Sequence, residues 1–398
     1  VLIDVPVPGN RYNLLDAHPA PRPRVAVVVA HYRQPGQLAR TWHALCHQTL
    51  PPVEVVIADD GSDPPPAPPA GGPPVRVVTQ PDLGFRAAAA RNLGVAHTSA
   101  EVLVFLDADT VPEPGFLEHL TARVARNPDV LAVGRRRHAD LDGHPVDVDP
   151  RTLPELPEPA WLREAYAGSR DLLDADGTSF RHVISAVLAC RRSLFDDLGG
   201  FDERYVGYGG EDWDLAYRAW NNGAVLVHEP TAVAWHDGPD WALRGDAPGV
   251  KEREAARLAA LIPEPGTRRG APPGDVPDVL VEAASGAVPS LEAQHHTDLA
   301  VGGIDLAGGG FDLAGGGGWT TDQLRRARVR MRVERPLPPW AVGAAVRALV
   351  DGDLATVVLR TGGVVAATAC STRALGRARR WGGREVASGT LDLDVGSA

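Results

Sequence analysis

The chain has 398 residues, a length for two domains rather than one. Apolar residues make up 44%, which excludes wholesale disorder, and 51 acids against 40 bases give a net charge of -11, which argues against a nucleic-acid or anionic-membrane binder. The three cysteines (Cys46, Cys190, Cys370) are far apart and odd in number, so they make neither a disulfide framework nor a zinc-spacing motif. The longest apolar run near the start, Val25–Ala30, is far short of a span, and nothing before it reads as a signal peptide. A cytoplasmic protein without a transmembrane segment is expected.

Residues 1–23 are punctuated by proline and read as an extended arm. Val25–Ala30 is a continuous β-branched run, the pattern of a buried parallel strand. Gln37–His47 has helical spacing, Val53–Ala58 is a second strand, and Val75–Val78 a short third. Phe85–His97 is an Ala-rich helix, Glu101–Leu106 another strand, and Pro112–Asn127 a helix with proline at its start. Residues 138–180 are polar and Pro-rich and resist assignment. Then follow a strand at Ile184–Cys190, a helix at Arg192–Leu198, a loop at Gly199–Gly210 and a helix from Glu211 to Asn222. Strands near Val225–His228 and Ala232–Trp235 and a helix at Val250–Leu261 complete a domain over 24–262. This alternation predicts an α/β fold with a mostly parallel sheet, with ligands at the carboxyl ends of its strands.

Residues 263–277 read as a linker, and 278–398 as a smaller C-terminal α/β region. That region balances 13 acids with 13 bases, so the whole net charge lies in residues 1–277. It holds a tandem repeat, Ile304–Gly310 and Phe311–Gly317, read as a flexible or tightly turning loop. Arg328, Arg330 and Arg332 alternate with Val329, Met331 and Val333, the period of a strand with one basic face. Helices are expected at Pro339–Val350 and Ser371–Trp381. Acceptor binding, self-association into a homo-oligomer and docking of a partner protein are all open for this region. An acidic or phosphorylated partner is one reading of the arginine face, and a solvated strand face with acidic cross-strand partners is the plainer one.

The chemistry-bearing residues lie in the first region. Asp107-Ala108-Asp109 directly follows a strand, and two carboxylates flanking a small residue there can hold a hard divalent cation, which in turn can hold a diphosphate. Turn formation and helix capping are the commoner explanation of such a triplet when it stands alone. Asp59-Asp60 ends the preceding core strand and offers acceptors to a base or ribose. Arg86 and Arg91 frame a helix that could face phosphates. Glu211, Asp212 and Asp214 crowd the start of a helix after Gly209-Gly210, more acid than a helix dipole needs.

Five ordered stretches, VAVVVAHYRQP, VEVVIADDGSD, GFRAAAARNLGV, VLVFLDADTVPEPGFL and GGFDERYVGYGGEDWDLAYR, resemble inverting glycosyltransferases of family 2 with the GT-A fold. The last is similar to the Gly-Gly-Glu-Asp segment of galactosyl- and N-acetylgalactosaminyl-transferases. The resemblance does not cover 278–398. It implies a UDP-sugar donor (hexose or N-acetylhexosamine) and Mn²⁺ or Mg²⁺. The acceptor it leaves open is a carbohydrate, lipid, peptide or natural product. It further implies that Ala30 and His31 lie at the base-contacting segment and that Asp60, with Asp59, binds uracil or ribose. Arg86, Arg91 and Asp107-Ala108 would lie along the donor. Asp107 and Asp109 would be the metal carboxylates, with His236 as a later metal ligand and His228 as its rival. Asp212 would be the general base, Glu211 would bind sugar hydroxyls, and Tyr208 and Trp213 would stack on a sugar face. An inactive nucleotide-sugar-binding module and a nucleotidyltransferase are the alternatives. The second lacks its glycine pattern in His31-Tyr32-Arg33-Gln34-Pro35.

Overall fold

The computed structural model describes residues 6–17, 21–239, 249–269, 271, 274–302, 318–381 and 389–396. By contact the chain divides into two compact units. The first gathers Val1–Asp4, Asn10–Ala216 and Val225–Glu254; the second gathers Val5–Gly9, Tyr217–Ala224 and Ala255–Ala398.

The first unit is built on a nine-stranded sheet. Its strands are β1 (Val25–His31), β2 (Glu54–Asp59), β3 (Val75–Thr79), β4 (Val102–Asp107), β5 (Thr110–Pro112), β6 (Val130–Ala139), β7 (Glu155–Leu156), β8 (Val187–Arg191) and β9 (Val225–Asp237). The order is β3-β2-β1-β4-β8-β6-β9-β5, with β7 on β6. The half β3-β2-β1-β4 is parallel, as the alternation with helices requires. β8 enters antiparallel between β4 and β6, and β6 and β9 are parallel. The β-branched runs are buried on both faces: Val25 to Val29, Val55 to Ala58 and Val102 to Leu106 are nearly inaccessible to water. Helices α1 (Pro35–Cys46), α2 (Ala87–Ala96) and α3 (Phe116–Arg126) cover them. α2 is Ala-rich because it lies close on β1 and β2; a Cβ at Gly94 would fall 2.4 Å from Val28 Cγ1 and 3.2 Å from the Ala58 Cβ.

Several elements differ from the sequence expectation. Pro112 ends a strand rather than opening a helix: Thr110–Pro112 pairs with Ala234–His236, and the helix begins at Phe116 after Gly115. Proline is compatible with an edge strand, and β5 is the last strand in the sheet order. The two strands expected around 225–235 are one strand, β9, whose pairing with β6 slips between Gly134 and Arg135 and so absorbs Pro230. The strand expected at Ile184–Cys190 starts later, at Val187. The N-terminal arm contains a turn of 3₁₀ helix at Tyr12–Ala17. Residues 138–180 contain β7 and α4 (Ala160–Gly168). Three further helices follow: α5 (Arg192–Leu198), α6 (Glu211–Asn221) and α7 (Val250–Leu261).

The second unit holds a six-stranded sheet ordered β11-β10-β12-β14-β13-β15. The strands are β10 (Val279–Ala283), β11 (Leu299–Val301), β12 (Val329–Val333), β13 (Thr356–Thr361), β14 (Val364–Ser371) and β15 (Thr390–Asp394). Helices α8 (Val288–Glu292), α9 (Thr321–Arg326), α10 (Ala341–Asp351) and α11 (Thr372–Trp381) belong to it. β12 alternates as expected, with Val329, Met331 and Val333 in a core shared with α10. Arg328, just before β12, clasps the buried Asp278 through two hydrogen bonds of 2.6 and 2.7 Å. Arg268, within 263–277, is buried and donates to the Ala259 and Val276 carbonyls. The tandem repeat at 304–317 lies outside the described residues. Among the described residues no helix is long and apolar enough to cross a membrane.

Candidate active site

The carboxyl ends of β1, β2 and β4 open on a cavity of about 230 Å³. Parallel strands end on the same sheet edge, so Ala30, His31, Asp60, Asp107 and Asp109 arrive there together. Arg91, from α2, also lines it, as do Tyr208 and His236. Of the residues expected at the donor, Asp59, Arg86 and Ala108 do not line it.

The reason differs for each. The Asp59 carboxylate is fully buried and accepts from His31 Nδ1 at 2.8 Å, Ser62 N at 3.0 Å and Ser62 Oγ at 2.5 Å. It organises the loop after β2. The Gln34 backbone amide donates to His31 Nε2, so His31 carries its proton on Nδ1. Arg86 meets the site through its backbone: its N–H donates to Asp60 Oδ2 at 2.6 Å, while its guanidinium turns to the Pro81 carbonyl. Asp60 Oδ1 accepts from Gln80 at 2.5 Å. Ala108 is fully buried, its N–H on the Ala30 carbonyl and its carbonyl accepting from Thr41. A small residue is needed between the two aspartates because the backbone there packs against β1 and α1.

Arg91 joins the two acidic motifs. Its guanidinium donates to Asp107 Oδ1 at 2.7 Å and to Glu211 Oε1 at 2.9 Å, the latter 120 residues away in sequence. Burial opposes its charge, but Asp107 and Glu211 more than compensate, so it stays protonated with a pKa above the ordinary arginine value. Asn92, next on α2, donates to the Phe201 carbonyl and accepts from the Phe201 N–H, fixing the loop that leads to Glu211. Gly207 N–H bonds the Phe85 carbonyl and closes that loop over the cavity.

Glu211 and Asp212 themselves stand beside the cavity rather than in its lining; Glu211 is tied to it through Arg91. The Asp212 carboxylate retains some exposure but is surrounded on most sides by protein. Burial, and then the neighbouring Glu211 charge, push its pKa up to about 7, against the opposing bonds from the Trp213 and Ser185 backbone and the Arg91 charge. Trp213 stands edge-on to Trp161 at 6.4 Å, while Tyr208 pairs with Phe85 at 6.1 Å on the cavity wall.

Asp109 and His236 face each other, with Oδ2 and Nε2 3.6 Å apart. His236 Nδ1 lies 3.2 Å from the Gly238 carbonyl and so carries a proton, and in the neutral imidazole Nε2 is then the acceptor on the Asp109 side. A carboxylate and a neutral imidazole this close could serve as ligands of a hard or borderline divalent cation. Among the described residues no three His, Cys, Asp or Glu side chains converge as a complete cage. That suits a cation completed by substrate phosphates and water, which needs only one or two protein ligands. His228 lies elsewhere, on Asp171 at 2.7 Å and stacked on Tyr166 at 3.5 Å, in a second cavity of about 230 Å³.

Six lining residues were not expected from the sequence: Ala87 and Ala90 on α2, Gln34, which donates to Asp109 at 3.2 Å, Tyr32, Phe85 and Arg136. Only Arg136 left a signal, the basic run Arg135-Arg136-Arg137 on β6.

Residues 26–199 match the family model described as glycosyl transferase family 2. Residues 26–199 thus carry the sequence of a family 2 glycosyltransferase domain. Residues 178–231, which include the Gly-Gly-Glu-Asp segment of this domain, match the model described as the N-terminal domain of galactosyltransferase. The hyaluronan synthase of Pasteurella multocida is 27% identical over 263 residues, 59% of this chain and 26% of that one. The pre-mycofactocin glycosyltransferase of Mycobacterium tuberculosis is 33% identical over 189 residues, 44% of this chain and 37% of that one. The chain thus spans well under half the length of these relatives. A crystal structure of GalNAc-T7 with UDP, GalNAc and Mn²⁺ overlays with a TM-score of 0.43 at 18% identity, covering 61% of this chain and 48% of that one.

Proposed function

We propose that the protein is a metal-dependent inverting glycosyltransferase that moves a hexose or N-acetylhexosamine from a UDP-sugar to an acceptor hydroxyl. The observation that carries this reading is Arg91, bonded at once to Asp107 and Glu211, because it draws a donor-side acid and an acceptor-side acid to one cleft. Asp60 offers acceptors at the end where a uracil or ribose would lie. Phe85 and Tyr208 offer faces on which a planar base or a sugar can rest.

Asp109 and His236 would hold the divalent cation, with Asp107 beside them; bound there, it would stabilise the charge of the departing diphosphate. Asp212 takes the proton of the acceptor hydroxyl as the oxygen attacks the anomeric carbon. The bond from that carbon to the diphosphate oxygen breaks, and its electron pair leaves with UDP. A carboxylate with a pKa near neutrality suits this proton transfer, being about half ionised near pH 7 and more basic than an ordinary carboxylate. One displacement inverts the centre, so an α-linked donor yields a β product. Arg91 does not shuttle protons; it holds Asp107 and Glu211 in place and offsets their mutual repulsion.

The test is a panel of UDP-sugars with Mn²⁺, read by product formation and by the configuration of the new linkage. Transfer that survives EDTA would overturn the metal role, and a retained configuration would overturn the single displacement. Turnover in which the product carries a nucleoside phosphate would favour a nucleotidyltransferase instead.

A further inference from the structure

A cleft in the second unit, unrelated to the acid-lined cavity, is built entirely from cationic and neutral groups. Its volume is about 110 Å³, and its walls include Arg325 from α9, Arg330 from β12, Arg379 from α11, Thr372 and Asn222. Among the described residues no carboxylate lines it. Burial, and then the charge of Arg379, depress Arg330 below its usual pKa. Guanidinium groups gathered around one space repel one another, and an anion in that space relieves the repulsion.

The neutral groups point the same way. Thr372 is 4% exposed, lines the cleft, and its hydroxyl is buried with no hydrogen-bond partner. Asn222 is 8% exposed and also lines it. Its Oδ1 accepts from Arg379 at 2.7 Å, which fixes the amide's orientation and leaves the buried Nδ2 without a partner. Buried donors without acceptors are uncommon and costly, and here two of them share a cleft with three guanidinium groups. Thr372 is also the first residue of the ten-residue helix α11, whose amino end adds partial positive charge.

We infer that this cleft is a binding site for a phosphate group, held by Arg325, Arg330, Arg379, Thr372 and Asn222. The donors come from β12, from two helices and from the turn at Asn222, so they approach from several sides. That arrangement suits a tetrahedral oxyanion, which accepts in all directions, better than a planar carboxylate. The volume admits one phosphate and little of what carries it, so the ligand is inorganic phosphate or the terminal phosphate of a small molecule.

The site is tested on the full chain by calorimetric titration with inorganic phosphate, at constant ionic strength and with UDP saturating the donor cleft. Saturable binding is expected. It should weaken by about tenfold or more in Arg379→Gln and in Thr372→Val, and return in Thr372→Ser. Far-UV circular dichroism and UDP binding should match the wild type in each variant, which separates loss of the site from loss of the fold. A parallel titration with glucose 1-phosphate assigns the source: tighter binding than inorganic phosphate identifies a phosphorylated sugar, and weaker binding the free ion. No saturable binding under UDP, or equal binding in wild type, Arg379→Gln and Thr372→Val, overturns the inference.

Discussion

The two units each contain a cleft lined by ionisable groups, and they handle charge in opposite ways. In the first unit one of the two arginines lining the cleft, Arg91, clasps Asp107 and Glu211, and Asp60, Asp107 and Asp109 line the same space. In the second unit arginines face the cleft and no carboxylate does, among the described residues. The chain's net charge is also uneven, since residues 278–398 are neutral overall and residues 1–277 carry all of it. Net charge therefore says little about a cleft, because ion pairing within each unit decides which sign is left facing the space. The first cleft suits the cation and sugar donor proposed for it, and the second the anion proposed for it.

The contrast can be broken most strongly at Arg91. Arg91→Ala leaves two carboxylates together in a largely buried place, and removing one partner of such a network costs about 3–5 kcal/mol. Urea unfolding should show that loss, and an unchanged midpoint would mean that Arg91 does not hold the cleft together. The packing beneath it is the next target. Gly94→Ala drives a methyl into Val28 and should cost about 1–3 kcal/mol in the same measurement. An unaffected midpoint would show that α2 can shift away from β1 freely.

With Asp212 as the proposed base, its ionisation sets the pH dependence of kcat/KM. Its pKa is raised, so the protonated, inactive form persists up to neutrality. Activity should fall about tenfold per pH unit below about 7 and level off above it. A profile that is flat from pH 5 to 8 would contradict this. Arg86 provides the smallest effect and the sharpest contrast with Arg91. Its guanidinium points to Pro81 and only its backbone amide serves Asp60, so Arg86→Gln should change donor affinity by less than about threefold. A larger loss would put its side chain on the diphosphate.

How much of this was legible in the sequence depends on how local each signal is. β1, β2 and β4 were plain because a strand buried on both faces must be a continuous apolar run, and the acids at their ends had to share one edge. Pro112 misled because proline opens helices and is also tolerated in edge strands, and the choice was made by pairing with Ala234 on β9, far along the chain. Asp59 and Asp60 look alike in sequence, yet one faces the cavity and the other is spent on His31 and Ser62. That difference comes from the twist of a turn and leaves no trace in composition. Arg136 and Phe85 reach the cavity only through tertiary placement. The orphaned donors of Thr372 and Asn222 are likewise invisible until the residues around them are in place.

Asp212 as the base beside a donor cleft assembled by Arg91 stands or falls by one substitution. Asp212→Asn keeps the size and most hydrogen bonds of the side chain while removing its basicity. With a UDP-sugar, Mn²⁺ and a competent acceptor, kcat should fall by roughly 100- to 10,000-fold with donor binding unchanged. Transfer at the wild-type rate by the Asp212→Asn protein would contradict that role.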